Sequence, residues 1–146
     1  METFNIFSLG LLVNRVHTAI SIRLHQKLKE HGLELTVAQY MVMRRIFDYQ
    51  GITQKELAIL IRKDQAAINR AVKGLINNGF LIKGDTKKDR NKLFLTQKTL
   101  DLKNTFFNII SEMSDDCLSG ISDPRRKQGI DFLKKIYANL ASLNQM

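Results

Sequence analysis

The stretch Asp64-Gln-Ala-Ala-Ile-Asn-Arg-Ala-Val-Lys-Gly-Leu-Ile-Asn-Asn78 decides the fold. Ile68, Ala71, Val72 and Leu75 recur at i, i+3, i+4 and i+7, the spacing that lines one face of a helix. Asp64 suits the N-cap, because its carboxylate can accept a backbone N–H left unpaired by the first turn. Gly79 suits the position after the last turn, because it takes a positive φ without a Cβ clash. At roughly 100° per residue, Ala66, Arg70, Lys73 and Asn77 point away from the apolar stripe, with Asn69 on its flank. That outer face has two cations, an amide and a small residue, and no Asp or Glu. A helix is about 10–12 Å wide with its side chains, and the major groove of DNA is about 12 Å wide. The segment therefore reads as a recognition helix. An ordinary amphipathic surface helix is the alternative for the segment alone, and the flanking sequence decides between them.

Upstream, Thr53-Gln-Lys-Glu56 forms a Ser/Thr-x-x-Glu capping box that opens a short helix through about Leu60. Leu57, Leu60 and Ile61 are expected to face inward, and Ala58 is small enough for close packing. Ile61-Arg62-Lys63 is a tight connection to Asp64. Two short helices so joined, the second with a polar outer face, make a helix-turn-helix. Downstream of Gly79 the apolar period changes from 3.6 to 2. Phe80-Leu-Ile-Lys83 and Lys92-Leu-Phe-Leu95 read as paired strands, and Gly84 to Asp89 as a polar turn. This is a hairpin with a basic tip, a wing.

Further out the chain is helical. Leu12, Val16, Ile20, Leu24 and Leu28 sit four apart in a helix over 4–30, with Leu11 and Ala19 beside them and His31-Gly32 closing it. Phe4, Ile6 and Phe7 add more apolar surface than one terminal helix normally shows to water. Thr36-Val-Ala-Gln39 is a second capping box, followed by Val37, Tyr40, Met41, Arg44 and Phe47 at helical spacing up to Gly51. Thr96 or Gln97 starts one long fifth helix, carrying Leu100, Phe106, Phe107, Ile110, Met113 and Cys117, and ending at Gly120. Asp123 as N-cap and Pro124 at N1 open the last helix, whose stripe is Ile130, Leu133, Ile136, Tyr137 and Leu140.

The chain has 146 residues, 44% apolar and 25% charged, ordinary values for one globular domain. Its net charge of +9 is unevenly placed. Residues 51–100 hold eleven of the 23 basic side chains and four of the 14 acidic ones, a local excess of +7 around the proposed recognition helix. Such an excess attracts polyanions, nucleic acid first and an anionic membrane second. Membrane binding needs a basic amphipathic helix with bulky anchors, whereas these charges sit in short helices and a turn. The single Cys117 excludes an intrachain disulfide and suits a reducing cytoplasm. Phe4 to Val13 lacks the basic start of a signal peptide, having Glu2 instead, and no run is long enough to span a bilayer. A cytoplasmic protein is expected.

These pieces, in this order, resemble the MarR family of bacterial transcriptional regulators. The resemblance covers nearly the whole chain and is strongest from Leu35 to Thr96. It is carried by Leu35-Thr36-x-x-Gln39, Thr53-Gln54-x-Glu56-Leu57-Ala58, Asp64 to Arg70, Leu75-Ile-x-x-Gly79-Phe80, Lys83, Asp85, Lys88-Asp89-Arg90 and Leu95-Thr96. Three departures stand out. Ala66 and Ala67 replace the usual Ser and Thr, the interval from Arg90 to Leu95 is about two residues short, and Thr99 replaces a Gly. The resemblance implies a mainly α fold with a small β-hairpin wing, a winged helix-turn-helix flanked by N- and C-terminal dimerisation helices. It implies six helices and three strands, the first strand preceding the third helix. Residues 1–146 would form a single MarR-type domain, with 1–32 and 97–146 for dimerisation and 33–96 as the DNA-binding lobe. It further implies a homodimer on a palindromic operator, with half-sites roughly 10 bp apart, usually repressing and released by a small phenolic or other anionic effector or an oxidant.

On this reading Asn69, Arg70 and Lys73 approach base edges, with Ala66 on the same face. Arg can pair with guanine and Asn with adenine, each worth about 1–3 kcal/mol of discrimination. Gln65 would reach a phosphate or an adenine. Lys55, Lys63, Lys87 and Lys88 would neutralise phosphates, and Arg90 would lie in or beside a minor groove, unless Asp89 holds it. An enzyme is the rival class. His17, His25 and His31 have no Cys or paired carboxylates at ligand spacing, and no Gly-rich phosphate loop or hydrolase motif occurs. No catalytic residue, cofactor or metal is expected, and Asp115-Asp116 reads as helix surface. Cys117 reads as core or interface packing, with a redox sensor as the alternative. A third reading is a small-molecule sensor, its cleft lined by the first, second and fifth helices.

Overall fold

The computed structural model describes residues 5–145, so Glu2 and Phe4 lie outside the described residues. Helix α1 (Ile6–Glu30) leads to α2 (Val37–Asp48), a short strand β1 (Ile52–Thr53), α3 (Gln54–Ile61) and α4 (Gln65–Asn77). Strands β2 (Leu81–Lys83) and β3 (Lys92–Leu95) follow, then α5 (Gln97–Asp101), α6 (Lys103–Leu118) and α7 (Asp123–Leu143). The chain parts into two compact units between Met113 and Ser114.

The first unit owns the core. Helices α2, α3 and α4 bury Tyr40, Val42, Met43, Ile46, Leu57, Ala58, Ile68, Ala71, Val72 and Leu75 against one another. Leu24 and Leu28 of α1 and Phe106, Ile109 and Met113 of α6 join the same cluster. Phe106 anchors it: its ring stacks on Tyr40 at 5.3 Å, and the Tyr40 hydroxyl donates to the Phe106 carbonyl at 2.9 Å. Burial holds that phenol in its neutral form, its pKa pushed up to about 12. The sheet is antiparallel in the order β1-β3-β2. Its register pairs Leu81 with Leu95 and Lys83 with Leu93, so the wing closes without a bulge despite its short interval.

Both expected capping boxes are formed: Thr36 with Gln39, and Thr53 with Glu56. The helix starts are therefore fixed by side chains three residues apart. Four expectations need correction. The fifth helix is two helices, because the Leu102 N–H closes a tight turn on the Thr99 carbonyl at 3.0 Å and the ladder restarts from Lys103. Ser122, not Asp123, holds the N-cap of α7, so Pro124 falls one position later, where its missing N–H still costs nothing. Leu60 is not inward but 39% exposed, since α3 turns Leu57 and Ala58 to α4. Met41 is likewise exposed, and Val42, Met43 and Ile46 fill the core beside Tyr40.

Candidate nucleic-acid interface

Helix α4 is held at both ends. The Asp64 carboxylate accepts the Ala67 N–H at 2.8 Å. At the other end Gly79 takes φ +78, and the N–H groups of Phe80 and Gly79 return to the carbonyls of Leu75 and Ile76. This is the paired-bond helix stop that a left-handed glycine permits. Burial of Ile68, Ala71, Val72 and Leu75 turns the opposite face outward. Gln65, Ala66, Asn69, Arg70 and Lys73 are all exposed, as are Lys55 of α3 and Lys63 in the turn. The turn itself is tight: Arg62 adopts φ 56, and Lys63 N–H bonds back to Ala58 O at 3.2 Å.

Gln65 and Asn69 sit one turn apart and are not independent. The Gln65 amide donates to Asn69 Oδ1 at 2.8 Å. That bond orients the Asn69 amide and leaves its NH2 group pointing away from the shared oxygen. Asn69 must exchange this partner before it can engage an adenine with both atoms.

In the wing, Lys87, Lys88 and Arg90 are exposed. Asp89 does not hold Arg90. Its carboxylate bonds Lys92 at 2.9 Å and the Thr86 hydroxyl at 3.1 Å. The Lys92 ammonium, then the Thr86 hydroxyl, hold that carboxyl below its usual range. Asp89 thus braces the base of the loop and leaves the Arg90 guanidinium to the solvent side. Gly84 makes the loop possible, since a Cβ there would meet the Asp89 carbonyl oxygen at 2.5 Å.

The region carrying this geometry, residues 35–92, matches the model of the MarR family. Over these residues the chain is similar to the MarR family. Its resemblance to solved members extends well past the matched segment. Over 99% of this chain and 96% of the other, it superposes on a MarR transcriptional regulator from Methanosarcina mazei Go1 with a TM-score of 0.83 at 21% identity. A MarR-family regulator from Listeria monocytogenes, solved with a 26mer DNA, gives 0.73 at 25% identity over 96% of this chain and 91% of that one. Among curated proteins, the HTH-type transcriptional regulator BilQ of Clostridium symbiosum (strain WAL-14163) is 27% identical, covering 75% of this chain and 76% of its own.

Several residues that shape this site carry no local signal in the sequence. Gly74 is one. A Cβ there would meet Gln39 Nε2 at 2.6 Å, so the glycine lets the capping box of α2 approach α4. Lys98 is another, donating from α5 to the Asn78 carbonyl at 2.9 Å. His31 is a third, bonding Glu112 at 3.0 Å, beside a Lys27–Glu112 ion pair of 2.8 Å. His17 and His25 are exposed. Cys117 is exposed as well, so it does not fill the core. Among the described residues, no three His, Cys, Asp or Glu side chains converge as a metal site, and no helix is long and apolar enough to cross a membrane. A cavity of about 430 Å³ opens between His31, Leu33, Asn78, Phe80, Lys98 and Leu102, where the α1–α2 loop meets α5.

Proposed function

We propose that this MarR-family protein is a cytoplasmic, sequence-specific repressor that binds a palindromic operator as a homodimer. The observation that carries the reading is the outer face of α4, where Asn69, Arg70 and Lys73 stand exposed on a helix fixed at both ends. Base edges are read by side chains whose positions are set in advance, and phosphates by nearby cations. Arg70 and Lys73 supply the first, with Asn69 once it leaves Gln65. Lys55, Lys63, Lys87 and Lys88 supply the second, and Arg90 reaches for a minor groove. The DNA-bound Listeria monocytogenes relative supports this use of the fold. An anionic aromatic effector suits the cavity beside Lys98 and His31, and its binding would release the operator.

The test is selection of bound duplexes from a random pool, followed by Arg70→Ala and Lys73→Ala. Each change is expected to cost about 1–3 kcal/mol on the selected duplex and to relax preference at one or two positions. If neither alters affinity or preference, the assignment of α4 fails. A dimer covering about eight phosphates should also show log K falling with log salt at a slope near −7. A flat salt response would remove the cationic half of the reading.

A further inference from the structure

Three consecutive carbonyls leave α4, and the first turn of α5 receives all three. Lys98 Nζ donates to Asn78 O at 2.9 Å, Thr96 Oγ1 to Gly79 O at 2.6 Å, and Thr99 Oγ1 to Phe80 O at 2.6 Å. The Thr96 backbone N–H adds a second bond to Phe80 O at 3.2 Å. Thr99 is wholly buried, and the Lys98 ammonium also lies 4.3 Å from the centre of the Phe80 ring. Helix ends leave their last carbonyls without intrahelical partners, and a cation there meets the negative end of the helix dipole. Here the N–H groups of Gly79 and Phe80 are already used inside the turn, so α5 completes the set from outside.

We propose that Lys98 and Thr99 are positioning residues for DNA readout. They fix the last turn of α4, and through it the depth and tilt at which Arg70 and Lys73 meet a groove. The proposal rests on the reading of α4 as the recognition helix. Base-edge hydrogen bonds tolerate little displacement, whereas phosphate contacts tolerate more. Loosening this turn therefore lowers discrimination between sequences more than it lowers affinity for DNA in general.

The full chain carries the test, as Thr99→Val, Thr99→Ser and Lys98→Met. Two quantities are read: the ratio of affinities for the selected and a random duplex at one salt concentration, and amide hydrogen exchange over residues 75–80. Thr99→Val is expected to lower the ratio by about tenfold, the scale of one lost buried hydrogen bond. Random-duplex affinity should stay within about twofold. Exchange should quicken in the α4 exit, and Thr99→Ser should restore both readouts. If Thr99→Val does not fold, Lys98→Met, altered at an exposed side chain, carries the exchange measurement, which should quicken likewise. Unchanged exchange, or an equal loss on both duplexes, overturns the proposal. A wild-type protein that prefers no duplex would sink the recognition-helix reading separately, and the exchange comparison would still decide whether α5 holds α4.

Discussion

Asp64 caps the helix whose outer face is cationic, so one carboxylate serves stability and, on the proposed reading of α4, opposes the DNA phosphates. Its Oδ1 accepts the Ala67 N–H at 2.8 Å, and the side chain is exposed. Loss of such a cap costs about 1 kcal/mol, while serine keeps the acceptor without the charge. Asp64→Ala should therefore lower the thermal midpoint by about 2–4 °C at fixed protein concentration. Asp64→Ser should stay near wild type in the same scan and bind duplex DNA more tightly at low salt, because a negative charge has left the phosphate-facing side. Equal midpoints for the alanine and serine variants would show that the cap does not hold α4. At this scale the sequence was legible where cause and effect lie within one turn. Asp64, the two capping boxes and the exposed order of Asn69, Arg70 and Lys73 all follow from spacing alone. The Gln65–Asn69 bond, an i,i+4 amide pair, had the same kind of signal.

Between elements the causes lie far apart in sequence, and legibility falls. The break at Leu102 goes with a Thr99 hydroxyl that reaches Phe80, 19 residues earlier. Gly74 costs about 1 kcal/mol of helix propensity against alanine, for a reason that lies in Gln39 on another helix. The wing base shows the same logic with less freedom to adjust. At Gly84 a Cβ would strike Asp89 backbone atoms at 2.5 and 2.8 Å, not the end of a flexible chain. Gly84→Ala should destabilise the fold by about 1–3 kcal/mol in urea unfolding and weaken DNA binding by displacing Lys87, Lys88 and Arg90. Unaltered stability and affinity would mean that the hairpin shifts freely. The tie between α1 and α6 makes a pH-dependent case. The Lys27 ammonium, then His31, hold the Glu112 carboxyl below its ordinary 4.5, so the folded state binds its proton less readily than the unfolded chain. Stability from this carboxylate is fully present above that ordinary value and is lost as pH falls through the depressed one. Glu112→Gln should thus unfold at a lower temperature than wild type at pH 7, and the gap should close as the pH is lowered below the carboxyl's ordinary 4.5. A gap that persists in acid would assign the effect to packing and not to charge.

The described chain as a whole leaves two apolar faces on view. Helix α1 exposes Leu11 at 64%, Leu12 at 58%, Val16 at 51% and Ile20 at 41%, while only its last turns reach the core. Helix α7 has no buried residue, although Ile130, Leu133, Tyr137 and Leu140 repeat at helical spacing along it. Surfaces of this kind mark contact sites in soluble proteins, and a 21-residue helix with no fully buried residue gains little stability from propensity alone. A second copy of the chain is the proposed cover, and it would also present α4 and the wing twice, as a palindrome requires. Leu12→Glu combined with Val16→Glu places two charges on the face without touching the core of the first unit. Sedimentation of wild type at micromolar concentration should give a dimer, and the double variant a folded monomer. Because two tethered half-site contacts gain about 10²–10⁴ over one, the monomer should lose at least about a hundredfold on the selected operator. Its loss on an isolated half-site should be small. A double variant that still sediments as a dimer, with operator affinity intact, would move the interface elsewhere. A wild type that stays monomeric at every concentration would remove the two-fold basis on which operator binding is argued.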